Sequence, residues 1–456
     1  MRSRPFALPL QRPSPPPRRA STAAAAVDQQ PPPTRYQERD VSFAVGSLFY
    51  KPASRLIRDL GVLALAVMHN GRQGGASAPS QPLRVLDAMS GTGVRSLRYA
   101  MECNGTTHVT TNEKQFGEHP LDGNVESLVA QGRCVVRSEG ALDLYMRARL
   151  DGERFDLVDC DGFGTGMPHT AEAWWAVATG GLLYLCATDS CTTDGHHPHK
   201  ATTGYAAVAA KHLPSTNEQG LRLLVGAAWR EAAARNLHVA PVFSYFHRPS
   251  SSFRVMMRLI KPKRPPAAAY QSLAHVARCT RCGQTRSVPS DQLGEYVGAW
   301  DGACCGGGGG AAGKATEATD AAGATDAAAP RWQLFGPLWI GPMHDGAFVS
   351  SMAAEATARG WDDAASLLHT MVGEAEAEAG GALLYYHLGD VQRHLAAEQL
   401  AQPPLADLIT LLRAAGYTAS HSHIERKAIK TSASLRELTD LVRELPGATS
   451  PPREAE

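Results

Sequence analysis

At 456 residues with 43% apolar side chains, the chain is long enough for two or three domains with real cores. Its net charge of +1 neither requires nor excludes a nucleic-acid partner, because a basic patch can be local. Nine cysteines without disulfide-like regularity fit a reducing compartment, and no apolar run reaches the length of a membrane-spanning helix, so no membrane partner is expected.

The first 27 residues carry Arg2, Arg4, Arg12, Arg18 and Arg19 among Ser, Pro and Ala, and the first acid is Asp28. An Arg-rich, acid-free leader predicts a transit peptide over 1–34 and delivery to chloroplast or mitochondrion. The alternative is a disordered Pro-rich tail on a nuclear protein. Residues 41–50 alternate as a strand or hairpin, and 52–68 form an apolar-striped helix carrying Arg58 and Asp59. A Gly/Ser/Pro linker, 71–82, leads into a stretch that alternates strands and helices as far as 262, the signature of an α/β fold. The clearest later strands are 155–158, 181–188 and 253–260, and 218–235 is a long amphipathic helix. Residues 263–330 form a linker, within which 306–329 is almost wholly Gly, Ala, Thr, Asp and Glu and is expected to be a disordered insertion. Order resumes at Arg331, and helical patterns over 353–376 and 405–415 lead to a basic segment, 421–430, within a last domain of 331–456.

The densest chemistry begins at LRVLDAMSGTGVRSLRYA, residues 83–100, which reads as strand, tight turn and helix, with Asp87 closing the strand and Gly91 and Gly93 in the turn. Glycines in a first βα turn let the backbone approach a ligand beyond the strand ends. A dinucleotide fingerprint wants a third glycine where Ser96 stands, and has no need of an acid before the loop. A second acid, Glu113, closes the next strand, 108–112, where a carboxylate accepts both hydroxyls of a ribose. An acid near a cationic group, a second acid on a ribose and no demand for phosphate fit S-adenosyl-L-methionine.

The segment FDLVDCDGFGTGMP places Asp159 and Asp161 around a strand end, with Phe163 in the turn that follows. An acid beside an aromatic suits methylation of the amino group of a base. The exocyclic nitrogen of guanine is a poor nucleophile, a carboxylate accepting its N–H orients it and takes its proton, and an aromatic face holds the base. A capped turn with a core Phe is the alternative. Phe49 and Tyr50, in LFYKP, offer a second wall or ordinary core, and Arg58 and Arg95 are candidates for a cofactor carboxylate or for ordinary salt bridges.

In this order, LFYKPASRLIRDL, VLDAMSGTGVRSLRYA, NEK, VDCDGFGTGMP, GPLWIGP and KAIKT resemble the tRNA (guanine(26)-N2)-dimethyltransferase family. The resemblance implies a class I, Rossmann-like methyltransferase domain over 35–262 and a smaller C-terminal α+β domain that binds tRNA. Together they would methylate guanine N2 with S-adenosyl-L-methionine, in a protein expected to be monomeric. It places Arg58, Arg95, Glu113, Glu139 and Ala141 at the cofactor, Asp161 as the catalytic acid, and Phe49 and Phe163 around the guanine. Gly162 stands where the family's turn has proline, which loosens the backbone beside the acid. A non-catalytic tRNA-binding homologue and a methyltransferase for another RNA amino group therefore remain as alternatives.

Cys279 and Cys282 form one half of a zinc knuckle, and Cys304 and Cys305 stand where the second half would be. Adjacent cysteines lack the bite of a CxxC pair, so the reading is either a structural zinc or a metal-free remnant. His196, His197 and His199, in a polar loop, are expected to face solvent or RNA rather than a metal. In the basic segment, His421, His423, Arg426, Lys427 and Lys430 are expected to meet tRNA phosphates.

Overall fold

The computed structural model describes residues 35–73, 81–103, 107–114, 120–280, 283–296 and 332–446. The leader expected over 1–34, the insertion expected over 306–329, and Cys282, Cys304 and Cys305 lie outside them.

An antiparallel hairpin of β1 (Arg35–Glu38) and β2 (Val41–Ala44) is the first element described. A 3₁₀ turn at Pro52–Ser54 leads into α1 (Arg55–Gln73), which begins three residues after Pro52, the expected start, and runs past the predicted end at 68. Next come β3 (Leu83–Asp87), α2 (Val94–Glu102), β4 (Thr107–Asn112), α3 (Pro120–Ala130), β5 (Cys134–Arg137), α4 (Ala141–Asp151), β6 (Phe155–Cys160), α5 (Met167–Ala173) and β7 (Val177–Ala187). After the Thr216–Ala234 helix, β8 (His238–His247) and β9 (Ser252–Lys261) complete a seven-stranded sheet of order β5-β4-β3-β6-β7-β9-β8. The strands are parallel from β5 to β7, and β9 runs antiparallel to both β7 and β8. Strand order reverses between β3 and β6, so their carboxyl ends form the crevice where an α/β sheet receives ligands.

Both faces of this sheet are covered, which is why its strands read as nearly unbroken apolar runs rather than alternating ones. Leu157, Leu182 and Tyr184 point into one core with α1, α2 and α3. Their neighbours Val158, Leu183 and Leu185 point into the other, with α4 and the Thr216–Ala234 helix. The first core also buries ionic groups. Fully buried Arg98 joins Glu38 of the hairpin, Asp59 of α1 and its own Glu102, at 2.9, 2.6 and 2.8 Å.

A second sheet, of order β11-β10-β12, is built by β10 (Leu273–Cys279), β11 (Thr285–Pro289) and β12 (Trp332–Trp339), and its Val276, Phe335 and Leu338 join the core beside the Thr216–Ala234 helix. The helix expected over 353–376 is two, Gly346–Ala358 and Asp362–Ala379. Gly360, with φ of +68°, ends the first, and buried Trp361 starts the second, so a left-handed residue inside an apolar periodicity breaks what the periodicity joins. A third sheet, of order β13-β15-β14, has β13 (Tyr386–His387), β14 (Ala419–His421) and β15 (Ala428–Thr431). Helices Leu388–Ala396, Leu405–Ala414 and Leu435–Arg443 close a small separate core around Val391, Leu408, Ile429 and Leu438. Among the described residues no helix is long and apolar enough to cross a membrane.

Candidate active site

The carboxyl ends of β3, β4 and β6 carry the residues that the sequence singles out. Gly91 and Gly93 turn the chain from β3 into α2 with φ of +53° and +77°. At Gly93 a side chain is excluded twice, by that φ and by Leu121, whose Cδ1 lies 2.5 Å from where a Cβ would stand. At Gly91 a Cβ would meet nothing within 4 Å among the described residues, so against these the loop faces open space. Ser90 and Asn112 fix this turn to β4: the Ser90 backbone N–H donates to the Asn112 carbonyl at 2.9 Å, and the Asn112 N–H donates to Ser90 Oγ at 3.1 Å.

Glu113 stands beside the open face of this loop, where its Oε2 accepts the Gly91 N–H at 2.9 Å. The Asn112 side chain donates to the Glu139 carbonyl at 3.0 Å and accepts the Glu139 N–H at 3.1 Å. It thereby brings Glu139 and Ala141, the first residue of α4, to the same strand ends as Glu113. Five of the expected cofactor positions, Gly91, Gly93, Glu113, Glu139 and Ala141, thus gather around one turn.

Asp87 is a correction. Its side chain is 0% exposed, so it does not face a cationic ligand. It accepts Ser96 Oγ–H at 2.7 Å and sits in register with Asp159 of β6. Burial, then the charge of Asp159, pushes its carboxyl up to about 7. Ser96, which replaces the third glycine of a dinucleotide loop, is therefore the hydroxyl that holds this acid inside.

Beyond β6, Asp161 lies between two arginines: Arg95 Nη2 to its Oδ2 at 2.5 Å and Arg254 Nη2 to its Oδ1 at 2.7 Å. Arg95 also reaches Asp159 at 2.8 Å, and Tyr99 donates to that same Asp159 oxygen at 2.6 Å. Asp161 is the carboxylate of this network that breaks the surface, with its side chain 27% exposed. Burial alone would raise its pKa, but the Arg254 and Arg95 charges hold it well below the ordinary carboxylate range. Asp161 is therefore an ionised hydrogen-bond acceptor of low basicity.

Phe49 and Phe163 are 71% and 80% exposed, yet their rings meet edge to face at 5.8 Å. The loop bearing Phe49 is tethered by Lys51 Nζ to the Pro249 carbonyl at 2.6 Å and by His247 Nε2 to the Ala53 carbonyl at 2.9 Å. The turn bearing Phe163 is clamped to the end of β7, where Gly164 N–H donates to Thr188 Oγ1 at 2.8 Å and Thr188 N–H donates to the Gly164 carbonyl at 2.7 Å. These two bonds offset the freedom expected from Gly162, whose φ is not in the left-handed region. Two aromatics held in solvent beside an ionised acid form an open-faced clamp for a flat, amine-bearing ring.

Tyr50 is not part of that clamp: it packs between Tyr36 and Phe43 and donates to Glu38 Oε2 at 2.7 Å. Glu38 also engages the Arg58 guanidinium, at 2.7 Å to Nε and 2.5 Å to Nη2, so Arg58 anchors the hairpin to α1. Arg254 was absent from the sequence-based site. The available signal was a charged residue inside the apolar strand Phe253–Val255–Met256, where burial demands a carboxylate partner.

In the basic segment, Arg426 and Lys427 are exposed, as a phosphate-facing role needs. Lys430 is not. It is 1% exposed, and its Nζ donates to Glu218 Oε1 at 2.8 Å and Glu378 Oε1 at 2.5 Å, which overturns its assignment to RNA. Alternation along β15 turns Lys430 inward, to carboxylates contributed by two distant helices. His423 is likewise drawn inward, against Glu374. Cys279 is buried in β10, and its three proposed co-ligands lie outside the described residues.

Residues 33–443 match the family model of N2,N2-dimethylguanosine tRNA methyltransferase. A tRNA (guanine(26)-N(2))-dimethyltransferase of Methanothermobacter thermautotrophicus is 25% identical over 399 residues, 87% of this chain and 92% of that protein. The Mus musculus protein of the same name is 28% identical over 371 residues, 79% of this chain and 52% of its own length. In fold, the chain is similar to Trm1 from Pyrococcus horikoshii, solved with S-adenosyl-L-methionine, at a TM-score of 0.67 and 23% identity over 89% of this chain and 99% of that one. The match spans the hairpin, the sheet with its Asp161 site and the C-terminal layers, and the chain belongs to the N2,N2-dimethylguanosine tRNA methyltransferase family.

Proposed function

We propose that this protein methylates N2 of guanine at position 26 of tRNA, giving N2-methyl- and N2,N2-dimethylguanosine, with S-adenosyl-L-methionine as cofactor. The observation that carries the reading is the exposed Phe49–Phe163 pair beside Asp161, a carboxylate kept ionised by Arg95 and Arg254. The open face of the Gly91 loop with Glu113 beside it suits a ribose and needs no phosphate. Glu113 would hold the ribose hydroxyls, Glu139 and Ala141 the adenine side, and Arg95 and Arg58, each already anchored by an acid, the carboxylate. S-adenosyl-L-methionine supplies the methyl group.

The chain's own residues then do three things. Phe49 and Phe163 take a guanine out of the RNA stack and fix its plane. Asp161 accepts an N–H of the exocyclic amine, which aims the nitrogen and favours the positive charge that develops on it as it becomes tetrahedral. Because Arg95 and Arg254 lower the basicity of Asp161, the proton passes from nitrogen to Asp161, and from there to water at this partly exposed edge, after carbon–nitrogen bond formation has made that nitrogen acidic, rather than before. Exposed Arg426 and Lys427 would meet the phosphate backbone without reading sequence.

Nucleoside mass spectrometry of a tRNA carrying G26, after incubation with the protein and methyl donor, tests this reading. N2-methylated guanosine at that position is the expected product. Intact tRNA and donor binding with no methylated nucleoside would make the protein a binder instead.

The leader over 1–34 suggests delivery to chloroplast or mitochondrion, which a fluorescent fusion of those residues tests against a nuclear signal. A monomer is proposed, with light scattering as its check. Zinc on Cys279, Cys282, Cys304 and Cys305 is a further proposal, and loss of bound metal in Cys282→Ser would support it.

A further inference from the structure

Outside the cleft, Glu218, Glu374 and Glu378 are buried where the Thr216–Ala234 helix, the Asp362–Ala379 helix and β15 meet, together with two fixed cations, Arg222 and Lys430. The cations are taken up by two of the acids. Glu218 Oε1 lies 2.9 Å from Arg222 and 2.8 Å from Lys430, and Glu378 Oε1 lies 3.3 and 2.5 Å from the same pair. Glu374, 0% exposed and one helical turn before Glu378, is paired among the described residues with no arginine or lysine. A buried carboxylate with no cation of its own is strongly disfavoured, so something else must balance it.

Two imidazoles converge on its Oε2: His423 through Nδ1 in a short contact, and His344 through Nε2 at 3.7 Å. Their rings stand nearly perpendicular, with centroids 5.6 Å apart, and one ligand atom from each of the three side chains lies within 4.8 Å of the other two. The far ring nitrogens, His344 Nδ1 and His423 Nε2, are buried without hydrogen-bond partners among the described residues. Those are the nitrogens that keep their hydrogens when the near ones donate lone pairs to a metal.

We propose that His344, Glu374 and His423 form a binding site for a divalent transition-metal ion, zinc being the ion whose preference for imidazole and carboxylate donors they match. A tetrahedral zinc shell sets its donors about 3.3 Å apart, so His344 draws in from 3.7 Å while the short His423–Glu374 contact opens to admit the ion. The ion balances Glu374 and joins three segments distant in sequence: the loop after β12, the Asp362–Ala379 helix and the turn between β14 and β15. With all three side chains enclosed, its role is to fasten the C-terminal sheet, not to carry out chemistry.

The test uses the full-length Cys282→Ser protein, which disables the cysteine half-site while leaving buried Cys279 in place. After chelation and dialysis, the protein is loaded with Zn²⁺ alone and analysed for metal, then with Co²⁺ alone and analysed by visible absorption. The expected result is one retained ion per chain, a cobalt spectrum with tetrahedral ligand-field bands and no thiolate charge transfer, and a higher melting temperature with metal. His423→Gln and Glu374→Gln should abolish retention while circular dichroism stays native. Retention unchanged in both variants would overturn the site. If the variants do not fold, the Cys282→Ser protein still decides: no stoichiometric metal and no nitrogen–oxygen cobalt spectrum would overturn it, leaving a proton shared by Glu374 and His423 as the balancing charge.

Discussion

The Arg95–Asp159–Asp161–Arg254 network and the Glu218–Arg222–Glu378–Lys430 network share one plan, cations and carboxylates alternating below the surface at 2.5 to 3.3 Å. They differ in where they end. The first terminates in Asp161, partly in solvent and flanked by two exposed phenylalanines, whereas the second is sealed between helices and a strand. Burial with pairing is needed for either to exist, and it carries no functional information. Function enters where a paired acid also reaches the surface, because that acid remains ionised and still has a lone pair to offer a substrate.

The largest effect expected from breaking this comparison lies in the sealed network. Lys430→Met removes the cation shared by Glu218 and Glu378 and should destabilise the fold by about 3–5 kcal/mol, with the methylation rate per folded molecule unchanged. Urea unfolding together with an active-fraction assay checks it; a rate lost without stability would restore Lys430 to the RNA surface. In the open network the expectation reverses. Phe163→Ala, at an exposed ring, should leave stability alone and weaken guanine capture by about 1–3 kcal/mol, read as a higher KM for tRNA.

A subtler contrast concerns Asp87, the neutralised acid behind the open network. Its folded carboxyl is raised from 3.8 to about 7, so its contribution is complete below 3.8 and is lost as pH rises through about 7, where the folded protein must ionise it in apolar surroundings. Asp87→Asn should therefore gain stability relative to the natural protein at pH above that range and not below it, as unfolding at both ends would show. Gly162→Pro is expected to do least. A Cβ there is tight only against the flexible end of Met89, at 3.2 Å, and in ordinary contact with His169 at 3.9 Å, so the substitution should add about 0.4–1 kcal/mol at most and leave turnover intact. A loss of turnover would mean that the turn beside Asp161 needs the freedom of glycine.

What could be read from the sequence follows the same division. Gly91, Gly93, Glu113, Asp161 and Phe163 sit at strand ends or in the turns after them, where topology alone brings them together, and Phe49 joins them through a loop that the fold tethers. The inward turn of Lys430 was not legible. Its partners lie 212 and 52 positions away, and a lysine in a basic segment looks like any other until alternation along β15 is known. Asp87 was misread because its position at a strand end is shared by acids that face ligands and acids that are enclosed, and the enclosing hydroxyl of Ser96 registered only as a missing glycine. Arg254 was readable in principle, as a charge within an apolar strand, but which carboxylate it meets depends on β9 pairing with β7 rather than with its neighbour in sequence alone.

In the proposed reaction Asp161 acts on the guanine amine as an ionised acceptor. Single-turnover methyl transfer to a G26-containing tRNA, natural protein against Asp161→Asn, measures this most directly when donor and tRNA are both saturating. The Asp161→Asn rate should be lower by about 10²–10⁴, with little change in the affinity for either. An Asp161→Asn protein that transfers methyl groups at the natural rate would contradict it.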